Sequence, residues 1–141
     1  SGIKYILFTE SQEDIAQAID AYLMSIRPLP SPRLVHGKLS KDAERGQKIF
    51  ESTGCSACHK GQYYTDGQKY DVGTGIESHL NQSFDVPGLS ECWRTAPYLY
   101  DGRAKTMEEV IAKFNHNDLH GVTSGLSDND LRCLVEYVLS L

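Results

Sequence analysis

Cys55, Cys58 and His59, set in the run Cys55-Ser56-Ala57-Cys58-His59, carry the most specific chemistry in this chain. Two thiols three positions apart can each add to a vinyl group of one porphyrin. The imidazole that follows is placed to bind the iron from the proximal side. The same thiol pair would serve half of a zinc site or a thioredoxin-like redox pair. A zinc site needs two more ligands at short spacing, and Cys92 and Cys133 are isolated singles. A thioredoxin-like pair sits in a β-α-β context, which is not legible around residue 55. The run therefore points to one covalently attached haem c with its iron.

Such an iron has a second axial position, and three side chains compete for it. His116 and His120 lie in a polar loop between two helical patterns, where the chain can return to the metal. Met107 lies in the first turn of the preceding helix and would serve equally well as core. A thioether would raise the reduction potential, an imidazole would lower it, and an empty position would favour ligand binding or peroxide chemistry. His120, beside Gly121, is the first choice, with His116 and Met107 as alternatives. His36 and His79 read as surface residues.

The elements that must position these groups are mostly helical. Ser11 looks like an N-cap for a helix over 12–26, with Ile15, Ile19, Leu23 and Ile26 at helical spacing. A short apolar run over 4–8 precedes it, and Pro28-Leu29-Pro30-Ser31-Pro32 follows as a stiff linker. Residues 1–32 therefore read as an N-terminal helix and linker, the tail of a preceding domain, and 33–141 as the haem domain. Ser40 starts a second helix in which Gly46 and Phe50 share a face. Gly46 predicts a close crossing with the last helix near Tyr137. Residues 61–85 read as a loop with one short hairpin. Thr106 with Glu109 forms a capping box for a helix to about Phe114, and Ser127 with Asp130 starts the last helix. Leu131, Leu134, Val135, Val138 and Leu139 form that helix's apolar face.

Composition narrows the function classes. Hydrophobic residues make up 40% and charged residues 23% of 141, the balance of a globular protein of one domain and an appendage. The net charge of −5 and the lack of a basic run argue against nucleic acid or an anionic membrane as partner. No apolar stretch approaches membrane-spanning length, and no signal peptide stands at Ser1. Haem c proteins mature outside the cytoplasm, so the chain is expected to be the processed or cut product of an exported bacterial protein, periplasmic or at the cell surface. In such an oxidising compartment Cys92 and Cys133 are expected to pair.

The segment Phe84-Asp85-Val86-Pro87-Gly88-Leu89, followed by Trp93-Arg94-Thr95-Ala96-Pro97-Tyr98-Leu99-Tyr100-Asp101-Gly102, resembles the C-terminal haem domain of bacterial di-haem cytochrome c peroxidases and their methylamine-utilisation relatives. Tyr70–Gly75 and His120–Ser124 are similar to a mono-haem branch, whose domain often follows another in a large secreted protein. The resemblance covers roughly 38–141. It implies an all-α fold, a class I cytochrome c-like helical domain around one covalently bound haem, here with an extra N-terminal helix. It also implies site roles: the Pro87 carbonyl accepting from the His59 ring, Arg94 forking onto a haem propionate, and Trp93, Tyr98 and Leu99 walling the porphyrin. The departures are one CxxCH where a di-haem enzyme has two, Tyr100 where His is usual, and Phe114-Asn115-His116 where the distal Met would follow.

The implied function is electron transfer by a mono-haem c-type cytochrome domain of a larger exported redox protein. Its partner would be a redox protein or a neighbouring haem domain. The alternative is a haem peroxidase-like enzyme module. That would need an open sixth position and an acid–base group, for which Glu77, Glu91 and Asp101 are available in sequence.

Overall fold

A computed structural model describes residues 13–141; the apolar run over 4–8 and the Ser11 cap lie outside the described residues. Helix α1, Glu13–Ser25, starts with two acidic residues, which suits the positive end of the helix dipole. It ends before Pro28, which cannot continue the helix. None of its residues is buried, and Ile15, Ile19 and Leu23 remain 50%, 43% and 57% exposed. The Pro-rich segment after it is fastened to the rest of the chain. The Leu29 N–H donates to Glu91 Oε1 at 2.7 Å, and the buried Ser31 hydroxyl donates to the Leu139 carbonyl at 2.6 Å. Arg33 pairs with Glu136 at 2.6 Å.

Two helices, α2 (Lys41–Ser52) and α3 (Asp128–Val138), cross to make the core. Each is started by a serine: Ser40 accepts from the Ala43 N–H and Ser127 from the Asp130 N–H. Gly46 makes the crossing possible. A Cβ there would overlap the Cys133 carbonyl and reach 2.8 Å from the Tyr137 Cβ. One turn on, Phe50 meets Tyr137 edge-on with ring centroids 5.3 Å apart. Ala43, Phe50, Met107, Val110, Leu134, Tyr137 and Val138 are buried together.

The chain between these helices is long loop punctuated by single turns. Strands β1 (Lys69–Tyr70) and β2 (Phe84–Asp85) form an antiparallel ribbon with Tyr70 opposite Phe84. The helix expected over 106–114 is present but widened: its segment Glu109–Lys113 is π-helical, and the Phe114 N–H bonds the Glu109 carbonyl at 2.9 Å. Thr106 caps it by accepting from the Glu109 N–H, while the Glu109 carboxylate reaches back to the Lys105 N–H.

The expected Cys92–Cys133 disulfide is corrected, since both thiols are free. Cys92 Sγ donates to the Val138 carbonyl at 2.9 Å, whereas Cys133 lies where α3 meets Gly46 of α2. Residues 133 and 138 are five apart on one helix, about 140° round its axis, so the two sulfurs address different sides of α3.

Candidate functional site

The turn after α2 presents the thiols. Gly54 adopts a left-handed conformation, and the chain then winds through the single turn Cys55–Ala57. Cys55, Cys58 and His59 all open onto one cavity of about 670 Å³, within the range of pockets that hold a sizeable organic ligand. Its wall is largely apolar. Phe50, Leu134 and Val138 come from the helical core, Met107, Val110 and Ile111 from the π-helical region, and Tyr70 and Phe84 from the ribbon. Pro87, Tyr98 and Leu99, expected around the porphyrin, line it too.

His59 Nδ1 is 3.0 Å from the Tyr64 carbonyl, and the Pro87 carbonyl, the acceptor that the resemblance implies, also acts on the ring. Burial lowers the pKa of His59, and the carbonyls of Tyr64 and Pro87 oppose that shift. Cys55 has its thiol 3.4 Å from the Thr53 hydroxyl; burial raises its pKa, which the hydroxyl partly offsets.

His120 faces His59 across the cavity, with ring centroids 6.2 Å apart and planes 42° apart. Two imidazoles bound to one metal through ring nitrogens, at about 2 Å each, would have centroids roughly 6 Å apart. Burial, aided by the neighbouring His59, pushes the His120 pKa down to about 4, so its ring is neutral and able to bind metal at ordinary pH. Of the alternatives, Met107 is in the wall and 7% exposed, while His116 is exposed and outside it.

The loop that carries His120 is held by its own polar side chains. Asn115 Oδ1 accepts from the His120 N–H at 2.9 Å, and Asn115 Nδ2 donates to the Gly121 carbonyl at 2.8 Å and to Thr123 Oγ1 at 2.7 Å. Thr123 Oγ1 in turn donates to the Ile111 carbonyl at 2.9 Å. Asp118 accepts from the Thr123 and Ser124 N–H groups and from the Ser124 hydroxyl. Gly121, at φ +88°, lies against Cys55: a Cβ there would be 3.3 Å from Cys55 Sγ. The Val122 N–H bonds the Thr53 carbonyl at 2.9 Å, which closes the loop over the thiol turn. Sequence reading named His120 but missed Asn115 and Tyr64. A short amide side chain just past a helix end is a loop-forming signal, whereas nothing in the spacing marks Tyr64.

Trp93 and Arg94 are not among the residues that line the cavity. Arg94 pairs with Glu91 at 2.8 Å, and its guanidinium lies 5.9 Å from the Trp93 ring centre. The buried Trp93 Nε1 has no hydrogen-bond partner among the described residues. Tyr98, by contrast, donates its hydroxyl to the Cys92 carbonyl at 2.7 Å. The carboxylates considered for acid–base work lie outside the lining. Glu91 is taken up by Arg94 and the Leu29 N–H, Asp101 pairs with Arg103 at 2.9 Å, and Glu77 belongs to the turn Glu77–His79. Asp85 is the one carboxylate in the lining, 3.7 Å from Lys69 Nζ. Among the described residues no helix is long and apolar enough to cross a membrane.

The donor set fits a covalently held porphyrin: two thiols on one turn, two facing imidazoles and an apolar cavity. Comparison with known proteins agrees. The family model for cytochrome c matches residues 43–141. The chain is 31% identical to the hydrazine synthase subunit gamma of Kuenenia stuttgartiensis, over 89% of this chain and 48% of that protein. It is 28% identical to the methylamine utilization protein MauG of Methylorubrum extorquens, over 52% of this chain and 25% of that one. It is 24% identical to the cytochrome-c peroxidase IdrP2 of Denitromonas iodatirespirans, over 73% and 40%. A solved structure of Kuenenia stuttgartiensis hydrazine synthase superposes with a TM-score of 0.80 at 27% identity, covering 99% of this chain and 59% of that one. The chain thus spans about half or less of the length of these curated relatives.

Proposed function

This chain belongs to the cytochrome c family, and we propose that it is an electron-transfer domain holding one haem c between His59 and His120. When bound, the group supplies an iron that cycles between two oxidation states. Cys55 and Cys58 would hold it by thioethers, and His59, oriented by the Tyr64 carbonyl, and His120 would bind its iron. Pro87, Tyr98 and Leu99, in the same lining, would exclude water from it. Trp93 and Arg94 lie outside that lining, with Arg94 held by Glu91, and take no part in this reading.

The observation that carries this reading is the pair of imidazoles 6.2 Å apart in the cavity that both thiols line. An iron held by both rings would suit a carrier and would disfavour peroxide binding. The peroxidase-like reading needs an open sixth position and a free acid–base group, yet the lining's one carboxylate is near Lys69. Bis-imidazole ligation favours a lower potential than His/Met, which suits exchange with a neighbouring haem domain or redox protein. We further place the chain outside the cytoplasm, in a larger redox protein or assembly, where haem c proteins mature and where the longer relatives supply further chain.

The deciding experiment is an optical spectrum of the haem-loaded protein with and without His120→Ala. The unmodified protein is expected to be low-spin in both oxidation states, and His120→Ala to be high-spin when ferric. A low-spin spectrum that survives in His120→Ala would reassign the ligand to Met107 or His116, and a sulfur-to-iron charge-transfer band would select Met107.

A further inference from the structure

The amide of Asn115 spans the backbone on both sides of the His120 side chain. Its oxygen takes the N–H of residue 120, and one of its two N–H bonds reaches the carbonyl of residue 121. Its other N–H goes to Thr123 Oγ1, which is 9% exposed and itself donates to the Ile111 carbonyl. Ile111 lies in the π-helical segment Glu109–Lys113, near its end, where carbonyls lack helical partners. One side chain therefore ties the His120–Gly121 peptide to the frame that also carries the wall residues Val110 and Ile111.

Two further features bear on how the loop holds residue 120. Asn117 and Asp118 have φ of +57° and +56°, and Gly121 has +88°, left-handed turns that Asn, Asp and Gly tolerate best. Among the described residues none makes a hydrogen bond to the His120 imidazole, whereas His59 has Nδ1 on the Tyr64 carbonyl. The direction of the distal ring therefore depends on where the backbone of residue 120 is held.

We propose that Asn115 is the positioning residue for the distal ligand, setting the His120 imidazole against the iron by clamping the peptide that bears it. The clamp acts through three partly buried hydrogen bonds, so water replaces it only in part. It rests on the reading that His120 is the axial ligand. Its role is distinct from ligation: without the amide the imidazole still reaches the iron, but it leaves and returns more readily.

The test compares Asn115→Ala, Asn115→Asp and Thr123→Val with His120→Ala in the haem-loaded protein. Asn115→Ala should retain covalent haem and helical circular dichroism, and bind exogenous imidazole or carbon monoxide at least about tenfold faster, the usual scale for removing a group that supports a ligand. Its reduction potential should also shift. Asn115→Asp keeps the acceptor for the His120 N–H and loses both donors, so it should fall between wild type and Asn115→Ala. Should Asn115→Ala not fold, Thr123→Val decides. It removes the hydroxyl that props the amide at nearly constant volume, and should speed ligand entry in the same direction. Wild-type binding rates and potential in these variants, with His120→Ala high-spin, would overturn the positioning role and leave the ligation reading standing. A low-spin His120→Ala would overturn the ligation reading and this role together; amide exchange at His120 in Asn115→Ala would then report only how well the loop is held.

Discussion

At the scale of single residues, the charge state of His120 governs the site. Burial holds its pKa near 4, well below the usual value of 6.5, because the interior disfavours the imidazolium. A bound metal disfavours the proton further. Release of the distal ring on acidification is therefore expected below about pH 4, and an optical titration checks it. A high-spin transition between pH 6 and 7 would contradict this. The cysteines give a second prediction. With Cys92 on the Val138 carbonyl and Cys133 at the Gly46 crossing, thiol counting under denaturing, non-reducing conditions should find two reactive thiols besides those carrying haem. The CxxCH triplet was legible because its spacing is local and its chemistry demands that order. The pairing of the last two cysteines was not, because it depends on which side of α3 each sulfur meets. The Tyr64 contact of His59 was equally hidden: Tyr64 is five residues away through an irregular turn, and only the folded loop brings its carbonyl to Nδ1.

At the scale of elements, the α2–α3 crossing is the joint on which the cavity depends. Phe50 from α2 and Leu134 and Val138 from α3 support its floor. Gly46→Ala would drive a methyl into the Cys133 backbone, which cannot rotate away as a side chain would. We expect a loss of about 2–3 kcal/mol, seen as a fall in Tm of roughly 10 °C, with the haem spectrum retained in the surviving fold. An unchanged Tm would mean that the helices separate freely. This crossing, the serine caps and the apolar stripe of α3 were readable in sequence because each obeys a local period or a fixed offset. The widening of Glu109–Lys113 into a π-helical turn was not, because periodicity over so few residues does not separate the two windings.

At the scale of the whole molecule, we propose that the chain divides within the Pro-rich segment, the strap bonded through Leu29 and Ser31, rather than after it. Sequence reading placed the boundary after residue 32, at the end of the prolines. Ser31, however, is 5% exposed and bonded to Leu139, so we place the edge of the haem domain near Leu29, leaving α1 outside it. A chain beginning at Pro28 should keep the Tm and spectrum of the longer one. A chain beginning at Val35 loses the buried Ser31 bond and should be less stable by about 1 kcal/mol, or roughly 5 °C. Equal melting of both would show that the strap contributes nothing, and a large fall on removing α1 alone would make that helix integral.

The contact of Gly121 with the thiol turn implies an order of assembly. With the loop closed, a Cβ at residue 121 would stand 3.3 Å from Cys55 Sγ and from the Thr53 carbonyl, and burial raises the pKa of that thiol. A buried, protonated thiol is a poor nucleophile for a vinyl group. We therefore expect thioether formation at Cys55 while residues 115–124 are still undocked. The distal loop would then act as a latch, closing on a porphyrin already joined to the chain.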